Sequence, residues 1–503
     1  MLFRSRSDLV RQLVAETTVL ALAAGALGLC VAYAGVRALL ALSPARFPRA
    51  SEIAIDLPVL AFNLGLSVAV GLCLGLAPAL QVSRRGPSRG LQGGGRGNTG
   101  GRKTGRLRAV LVSAEVGLSL VLLVGAGLLL RTLDRLQSTS PGFQPDHLLA
   151  VQLSLPKRRY GNPAAIAQYA QQVTARLSRL PGVVDAGASS LNPLTPWRAH
   201  VLLMLEGRPE IDRTKAPVVN YRAVGPGYFK TVGVPFKAGR DVEARDEART
   251  VPVTVISETL ARRYFGGASP LGARLMIDDV EAFRTVEVIG VVGDVKHTGL
   301  DAEATADVYV PYTQAPPDVS VWLANIFCVA IRTSGDPRLL IASVKRELKA
   351  QDPDVAASSM RAMEEVVAGS LADRRFNTLL LEVFGAAALL LALTGIYSVA
   401  AFAVVERTRE IGVRLSLGST RSGILRLVAG QALYPVGLGL LLGVGAALVF
   451  GRLLSGLLFG VAPNDAGTLA AATASLGFTA CLASVLPAWR ATRIDPVRAL
   501  RAD

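Results

Sequence analysis

The stretch LLLEVFGAAALLLALTGIYSVAAFAVV (residues 379–405) runs directly into ERTREIGVRLSLG (residues 406–418). About 20 apolar residues suffice to cross a bilayer as a helix, and Leu379–Val405 exceeds that with Glu382 as its lone charge. The segment that follows sets Arg407, Arg409 and Arg414 beside Glu406 and Glu410. A span that ends in a short basic loop on the cytoplasmic side is the pattern that fixes topology.

Working outward, five more apolar runs have spanning length: roughly Leu13–Leu42, Leu57–Leu80, Leu107–Leu130, Ile424–Leu454 and Leu469–Leu486. The 503 residues are 51% hydrophobic with a mean hydropathy of +0.41. That is too apolar for an ordinary soluble enzyme and too polar for a chain lying wholly in lipid. The fold class is therefore a membrane α-helical protein of six transmembrane helices with one large soluble domain, α+β or α/β, big enough to bury its own core.

The net charge of +16 reads as membrane topology, not nucleic-acid binding, because the basic residues cluster between apolar runs. Arg84, Arg85, Arg89, Arg96, Arg102, Lys103, Arg106 and Arg108 follow the second run. Arg407, Arg409, Arg414 and Arg421 follow the fourth, and Arg490, Arg493, Arg498 and Arg501 end the chain. The loops Ser43–Asp56 and Ser455–Asp465 are poor in net positive charge. Both termini are then cytoplasmic, residues 131–374 extracytoplasmic, and the location a plasma (inner) membrane with lipid as solvent. The first apolar run is too long for a cleavable signal peptide.

Chemistry-bearing motifs are sparse. Cys30, Cys73 and Cys481 fall in apolar runs and Cys328 in the soluble region, which gives neither disulfide nor zinc spacing. His147, His200 and His297 have no partner spacing and read as surface or core histidines. The Gly/Arg/Ser-rich Gly86–Thr104 reads as a flexible linker, since its Arg102-Lys103-Thr104 misses the phosphate-loop spacing and no strand precedes it. No catalytic residue, cofactor or metal is expected, and the soluble domain reads as binding or transmitting force, not as an enzyme. Within the spans, Glu16, Glu115 and Glu382 are candidates for proton coupling or for interhelical bonding. Gly71-x-x-x-Gly75 and Gly439-x-x-x-Gly443 are either close-packing sites or filler.

The soluble region alternates strand and helix signals. Strands are expected at Leu148–Leu155, Val183–Ser189, Val201–Leu205, Val218–Val224, Val251–Ile256, Val286–Val292, Val308–Val310 and Phe327–Thr333. Helices are expected at Pro163–Leu180, Pro226–Val232, Pro337–Ala350 and Ser257–Phe265, the last capped by Ser257.

A repeat links the two ends of the chain. Arg6-Ser7-x-Leu9-Val10-Arg11 matches Arg421-Ser422-x-Ile424-Leu425-Arg426, and Gly28 and Arg37 match Gly443 and Arg452 without a gap. Downstream, Pro78, Ala79, Ser83, Arg84, Pro87, Arg89 and Leu91 match Pro487, Ala488, Thr492, Arg493, Pro496, Arg498 and Leu500. Such a same-orientation repeat implies a pseudo-twofold axis along the membrane normal. Glu16 matches Gln431, so the charge at that place is not a requirement of the repeat.

Four stretches together resemble the MacB/FtsX-like family of ABC transporter permeases, in its duplicated orphan permease type. They are Glu406–Gly418; Leu453-Leu454-Ser455-Gly456-Leu457-Leu458-Phe459-Gly460-Val461-x-Pro463; Pro487 through Arg493-x-Asp495-Pro496-x-x-Ala499-Leu500; and, in the soluble region, Pro226–Gly233 with Ile256–Phe265 and Val288–Val295. The resemblance implies a module of one span, an extracytoplasmic core domain and three more spans. It divides the chain into 1–91 (partial FtsX-like permease, two spans), a linker 92–106, a span 107–130, a MacB-like core domain 131–374, and an FtsX-like permease 375–503 with a coupling segment at 406–420. Residues 1–91 resemble only the end of a preceding module, as in an N-terminally truncated duplicated permease.

The resemblance makes Glu406, Arg407, Arg409, Glu410, Ile411, Gly412, Arg414, Leu415 and Gly418 the segment that docks on a cytoplasmic ABC ATPase subunit, with Ile411 and Leu415 on one helical face. The bland alternative is a solvated positive-inside loop. The expected function is a permease that relays ATP-driven motion outward. Its further partners would be a second permease chain or an outer-membrane or adaptor protein, with no nucleic acid. Two other readings stand beside it: a membrane-anchored regulator of a cell-envelope hydrolase, and a secondary transporter, against which the large outer domain argues.

Overall fold

The computed structural model describes residues 6–42, 56–84, 99–195, 199–205, 216–278, 283–316, 322–406, 408–417 and 419–492. It divides into a helical unit (Met1–Leu128, Phe376–Gly456 and Pro463–Asp503) and a sheet unit (Leu129–Arg375 and Leu457–Ala462).

The helical unit begins with α1 (Arg6–Leu42), α2 (Leu57–Arg84) and α3 (Thr99–Ser138), the last continuing into the sheet unit. Both glycine pairs are helix contacts. A Cβ on Gly71 of α2 would lie 2.7 Å from Thr18 Cα of α1, and one on Gly75 would lie 2.9 Å from Val14 Cα. Thr17 Oγ1 donates to the Gly71 carbonyl at 3.0 Å across the same contact. Small residues are needed there because the backbones themselves meet.

The sheet unit holds β1 (Leu148–Ser154), α4 (Pro163–Leu177), β2 (Val183–Ser189), β3 (His200–Leu205), β4 (Val218–Val224), α5 (Tyr228–Val232), β5 (Phe236–Gly239), β6 (Val253–Ser257), α6 (Glu258–Phe265), β7 (Arg274–Asp278), β8 (Phe283–Val292), β9 (Asp307–Pro311), β10 (Phe327–Thr333), α7 (Ile341–Gln351), β11 (Ala356–Ala362) and α8 (Met363–Ser370). Strands β11-β1-β10-β2 form an antiparallel sheet. With β1–α4–β2 and β10–α7–β11 as its two crossovers, this is a split βαβ arrangement. Strands β3 to β9 are inserted between its halves, and β4-β3-β7-β8-β6-β9 closes on itself through the parallel β4–β9 pair. Closure leaves that ring without an unpaired edge.

Alternation along β1 sets the two cores. Leu149, Val151 and Leu153 pack with Ile166, Val173 and Leu177 of α4 and with Val344 and Leu348 of α7. Leu148 and Ala150 face a second core with Phe229, Tyr309 and Met363. Asn162 caps α4 by accepting from Ala165 N at 2.8 Å, and Ser257 caps α6 through Leu260 N at 3.3 Å.

The chain returns to the helical unit through α9 (Ala372–Glu406), α10 (Thr408–Ser416), α11 (Arg421–Leu453) and α12 (Ala466–Ala491). Five helices among the described residues, those of α1, α3, α9, α11 and α12, are long and apolar enough to cross a membrane. The sixth expected run is helix α2, of which only Leu57–Cys73 counts as apolar among its described side chains. Gly443 and Gly439 of α11 lie on α3: their Cβ atoms would sit 3.0 Å from Gly117 Cα and 2.6 Å from the Ser113 carbonyl oxygen. Ser113 Oγ donates to the Pro435 carbonyl at 2.8 Å, and Ser119 Oγ donates to Ala388 O of α9 at 3.0 Å.

Candidate functional site

Of the nine residues expected to couple to an ATPase, Arg407 and Gly418 lie outside the described residues, as do the side chains of Arg409 and Leu415. The others sit on α10 or at the end of α9. Glu410 and Arg414 pair one turn apart on α10, Oε1 to Nη2 at 2.8 Å, which adds a small local support to the helix. Thr420 then caps α11, its hydroxyl accepting from Gly423 N at 3.3 Å.

Ile411 does not face outward. It is 0% exposed and packs against Ile424 and Val428 of α11 and Ala488 of α12, with Val404 and Leu425 at the edge. Gly412 is also buried. The physical reason is that an amphipathic helix buries its apolar stripe on the nearest apolar surface, and here that surface is the chain's own bundle. The face left open carries Glu410 and Arg414 with Val413 and Leu417, which are 39% and 80% exposed. Val413 and Leu417 stand one turn apart and so form a two-residue apolar patch with a charged border. Sequence reasoning missed this pair. Its signal was available, since Val413 and Leu417 have the same spacing as Ile411 and Leu415.

In the helical unit Glu115 of α3 lies against Gly395 of α9, where a Cβ would sit 3.3 Å from its carboxyl carbon. The Arg108 guanidinium stacks over Phe402, 3.7 Å from the ring centroid. Both line a cleft of about 430 Å³ with Leu111, Ser398 and Val399.

In the sheet unit the loop after α11 is tied to the ends of α3 and α9. Arg135 donates to the Gly460 carbonyl. Arg374 donates to the Leu457 carbonyl at 2.6 Å and pairs with Asp301 at 2.5 Å. Phe459 packs on the core that contains Leu136 and Phe229. Within the sheet unit Leu457, Phe459 and Gly460 are thus a structural tie, a role the sequence of the motif did not reveal.

The sheet unit also buries Arg222, Asp307 and His297, at 2, 0 and 3% exposure. Arg222 Nε stands 3.5 Å from Asp307 Oδ1, and His297 Nε2 is 3.1 Å from the Tyr309 hydroxyl. Burial holds the His297 imidazole well below its usual range and pushes the Asp307 carboxyl up. The four cysteines are free, and burial pushes the Cys328 thiol up to about 12, far from a reactive thiolate. Among the described residues no cluster of His, Cys, Asp or Glu is placed to hold a metal ion.

Residues 118–367 match the MacB-like periplasmic core domain, and residues 382–496 match the FtsX-like permease C-terminal domain. The chain belongs to the MacB/FtsX-like ABC permease family. It is a multi-pass membrane protein with a MacB-like periplasmic domain. Among curated relatives it is 30% identical over 345 residues to a macrolide export ATP-binding/permease protein MacB of Burkholderia cenocepacia, covering 63% of this chain and 48% of that one. It is 25% identical over 299 residues to the uncharacterized ABC transporter permease YknZ of Bacillus subtilis, covering 59% of this chain and 72% of YknZ. The chain thus spans about half the length of the MacB relative. Among solved structures, the periplasmic region of MacB from Actinobacillus actinomycetemcomitans aligns with 46% of this chain and 95% of its own, at 16% identity and a TM-score of 0.31.

Proposed function

We propose that this MacB/FtsX-like permease relays ATP-driven motion from a cytoplasmic ABC ATPase, which contacts α10, to the periplasmic domain. Its termini and α10 then lie in the cytoplasm, a reading that the Lys/Arg distribution supports. The observation that carries the reading is the division of labour on α10. Ile411 anchors the helix to α11 and α12, while Val413 and Leu417 are left bare beside Glu410 and Arg414. A solvated loop needs neither an anchor nor an exposed apolar pair. An amphipathic helix that inserts into a groove on a partner needs both.

We further propose that α1–α2 and α11–α12 are copies of one hairpin, in the manner of the duplicated permeases. The matched Arg, Gly and Pro positions support it.

The test is co-purification of the full chain with its ATPase after charge reversal at Arg409 and Glu410, and separately after Leu417→Arg. Loss of the ATPase is expected in both. Undiminished co-purification in both refutes the coupling role. Capture of a cell-envelope hydrolase by the periplasmic domain, with no transport defect in the same variants, would favour the regulator reading.

A further inference from the structure

The loop between β8 and β9, residues 293–306, lies outside the strands, yet it grips the sheet unit where the chain enters it and where the chain leaves. Asp294 accepts from Thr259 N and from Thr259 Oγ1, at 2.7 Å each, at the start of α6. The Lys296 amide donates to the Pro141 carbonyl just beyond α3 at 2.9 Å. A Cβ on the neighbouring Gly142 would lie 2.9 Å from Val295 Cα. Asp301 pairs with Arg374, in the first turn of α9, at 2.5 Å. Between these grips His297 reaches into the closed ring of strands, its Nε2 3.1 Å from the Tyr309 hydroxyl.

His297 is dry, and its Nδ1 has no hydrogen-bond partner among the described residues. The charged and titratable groups that face it are Arg222 of β4 and Asp307 and Tyr309 of β9, while Tyr228 of α5 and Asp294 of the loop act on Tyr309. Asp307 Oδ1 is 3.9 Å from His297 Nε2, but Arg222 Nε stands 3.5 Å from the same oxygen, and the other oxygen accepts from Thr305. An imidazolium carries two N–H donors. Here one of them would find no acceptor, beside a guanidinium and away from water, and such a buried charge is costly. Arg222 and Asp307 sit on paired strands. His297 is carried by a loop, so it is the member of the cluster that can leave. While the ring is neutral, Val295 and Leu300 keep the loop down, both buried in the core that contains Leu136.

We propose that this loop is an acid-released strap and that His297 is its trigger. A proton taken up from water by the imidazole drives the ring out to solvent, the loop follows, and Pro141 and Arg374 are let go together. The strand ring is then uncoupled from the segments that lead into α9 and out of α3. The proposal does not depend on the coupling role of α10, so either can fail without the other.

The experiment is hydrogen–deuterium exchange of the full chain in lipid nanodiscs between about pH 8 and about pH 5, with each rate corrected for the intrinsic pH dependence of exchange. Residues 295–302, which include the Lys296 amide, report the strap, and Phe327–Thr333 of β10 reports global unfolding. An opening that takes up one proton grows about tenfold per pH unit below about 6.5. That slope is expected at 295–302, with none at Phe327–Thr333. His297→Gln should remove the slope. Asp301→Asn should raise exchange of the strap at every pH and leave the slope in place, a readout that stands even where His297→Gln does not fold. A parent without the slope, an equal slope at Phe327–Thr333, a slope retained in folded His297→Gln, or an Asp301→Asn strap no looser than the parent's would overturn the proposal.

Discussion

Removing one member of the Arg222–Asp307 pair should cost more than removing both. The two residues lie on the adjacent parallel strands β4 and β9, where Arg222 is in register with Tyr309 and Asn220 with Asp307. Both are buried, and their 3.5 Å separation is an ion-pair distance. Asp307 also accepts from Thr305 Oγ1 at 2.7 Å, and its amide donates to Ser257 Oγ at 3.0 Å. Deleting one partner leaves the other charge dry and unpaired, which costs about 3–5 kcal/mol. Replacing both by apolar residues of similar volume removes the charges together and is often nearly neutral. Asp307→Asn and Arg222→Met are therefore expected to cost about 3–5 kcal/mol each, and Arg222→Met with Asp307→Leu less than either. At roughly 2–4 °C per kcal/mol for a domain of this size, the single variants should unfold about 6–20 °C earlier. Thermal unfolding of the purified full chain, read by proteolysis of the periplasmic domain, measures this. Single variants within about 1 kcal/mol of the parent, or a double variant as costly as the two singles together, would refute the reasoning.

Other outcomes follow from the same contacts. His297 is held neutral by burial, so its contribution to stability is complete above the unfolded pKa and lost as pH falls below about 6.5; acid melts of His297→Gln should show a flatter slope there. Burial pushes the Asp241 carboxyl up to about 6, so its ionisation costs stability as pH rises from about 4 through about 6. Asp241→Asn should gain on the parent between about pH 5 and about pH 7 in paired melts. Ile411→Ala should destabilise the helical unit by about 2–5 kcal/mol, whereas Leu417→Ala should leave stability within about 0.5 kcal/mol and lose ATPase binding, as thermal melts and pull-downs will distinguish. Gly443→Leu should cost about 1–3 kcal/mol through overpacking on Gly117, while Gly28→Leu in the same purified chain leaves the melt unchanged.

Much of the architecture was legible because it rests on length and period. The apolar runs became helices, and Phe327–Thr333 and Val183–Ser189 are strands β10 and β2 with the expected bounds. Ser257 caps α6 as its position required. The strands that escaped were β5, β7 and β11. Phe236–Gly239 is too short to show a period, and Ala356–Ala362 is largely exposed at the sheet edge and lacks β-branched residues. The helix expected over Pro226–Val232 is shorter at its start, because Gly227 adopts φ +77° before Tyr228. The ring closure of β4 with β9 is a long-range pairing that no local pattern encodes. Residues 406–418 were legible as a helical segment with an apolar face, but the inward turn of Ile411 depends on Ile424, Val428 and Ala488, and no spacing within Glu406–Gly418 carries that.

The inward turn of Ile411 bears on how a push on α10 would travel within the helical unit. A fully buried side chain in a close-packed cluster has little slack, so a displacement of α10 must move Ile424 and Val428, and hence α11. At Gly439 and Gly443, α11 meets α3 backbone to backbone, which leaves no soft side chains to absorb the motion. The Ser113 hydroxyl bond to Pro435 fixes the register of that contact. The stiff route therefore runs from α10 through α11 into α3, in addition to the direct continuation of the chain from α9. A variant that loosens only the glycine contact separates the two. If Gly439→Ala keeps ATPase binding intact but weakens the stimulation of export, the motion passes through α11; if export is unchanged, α9 alone suffices.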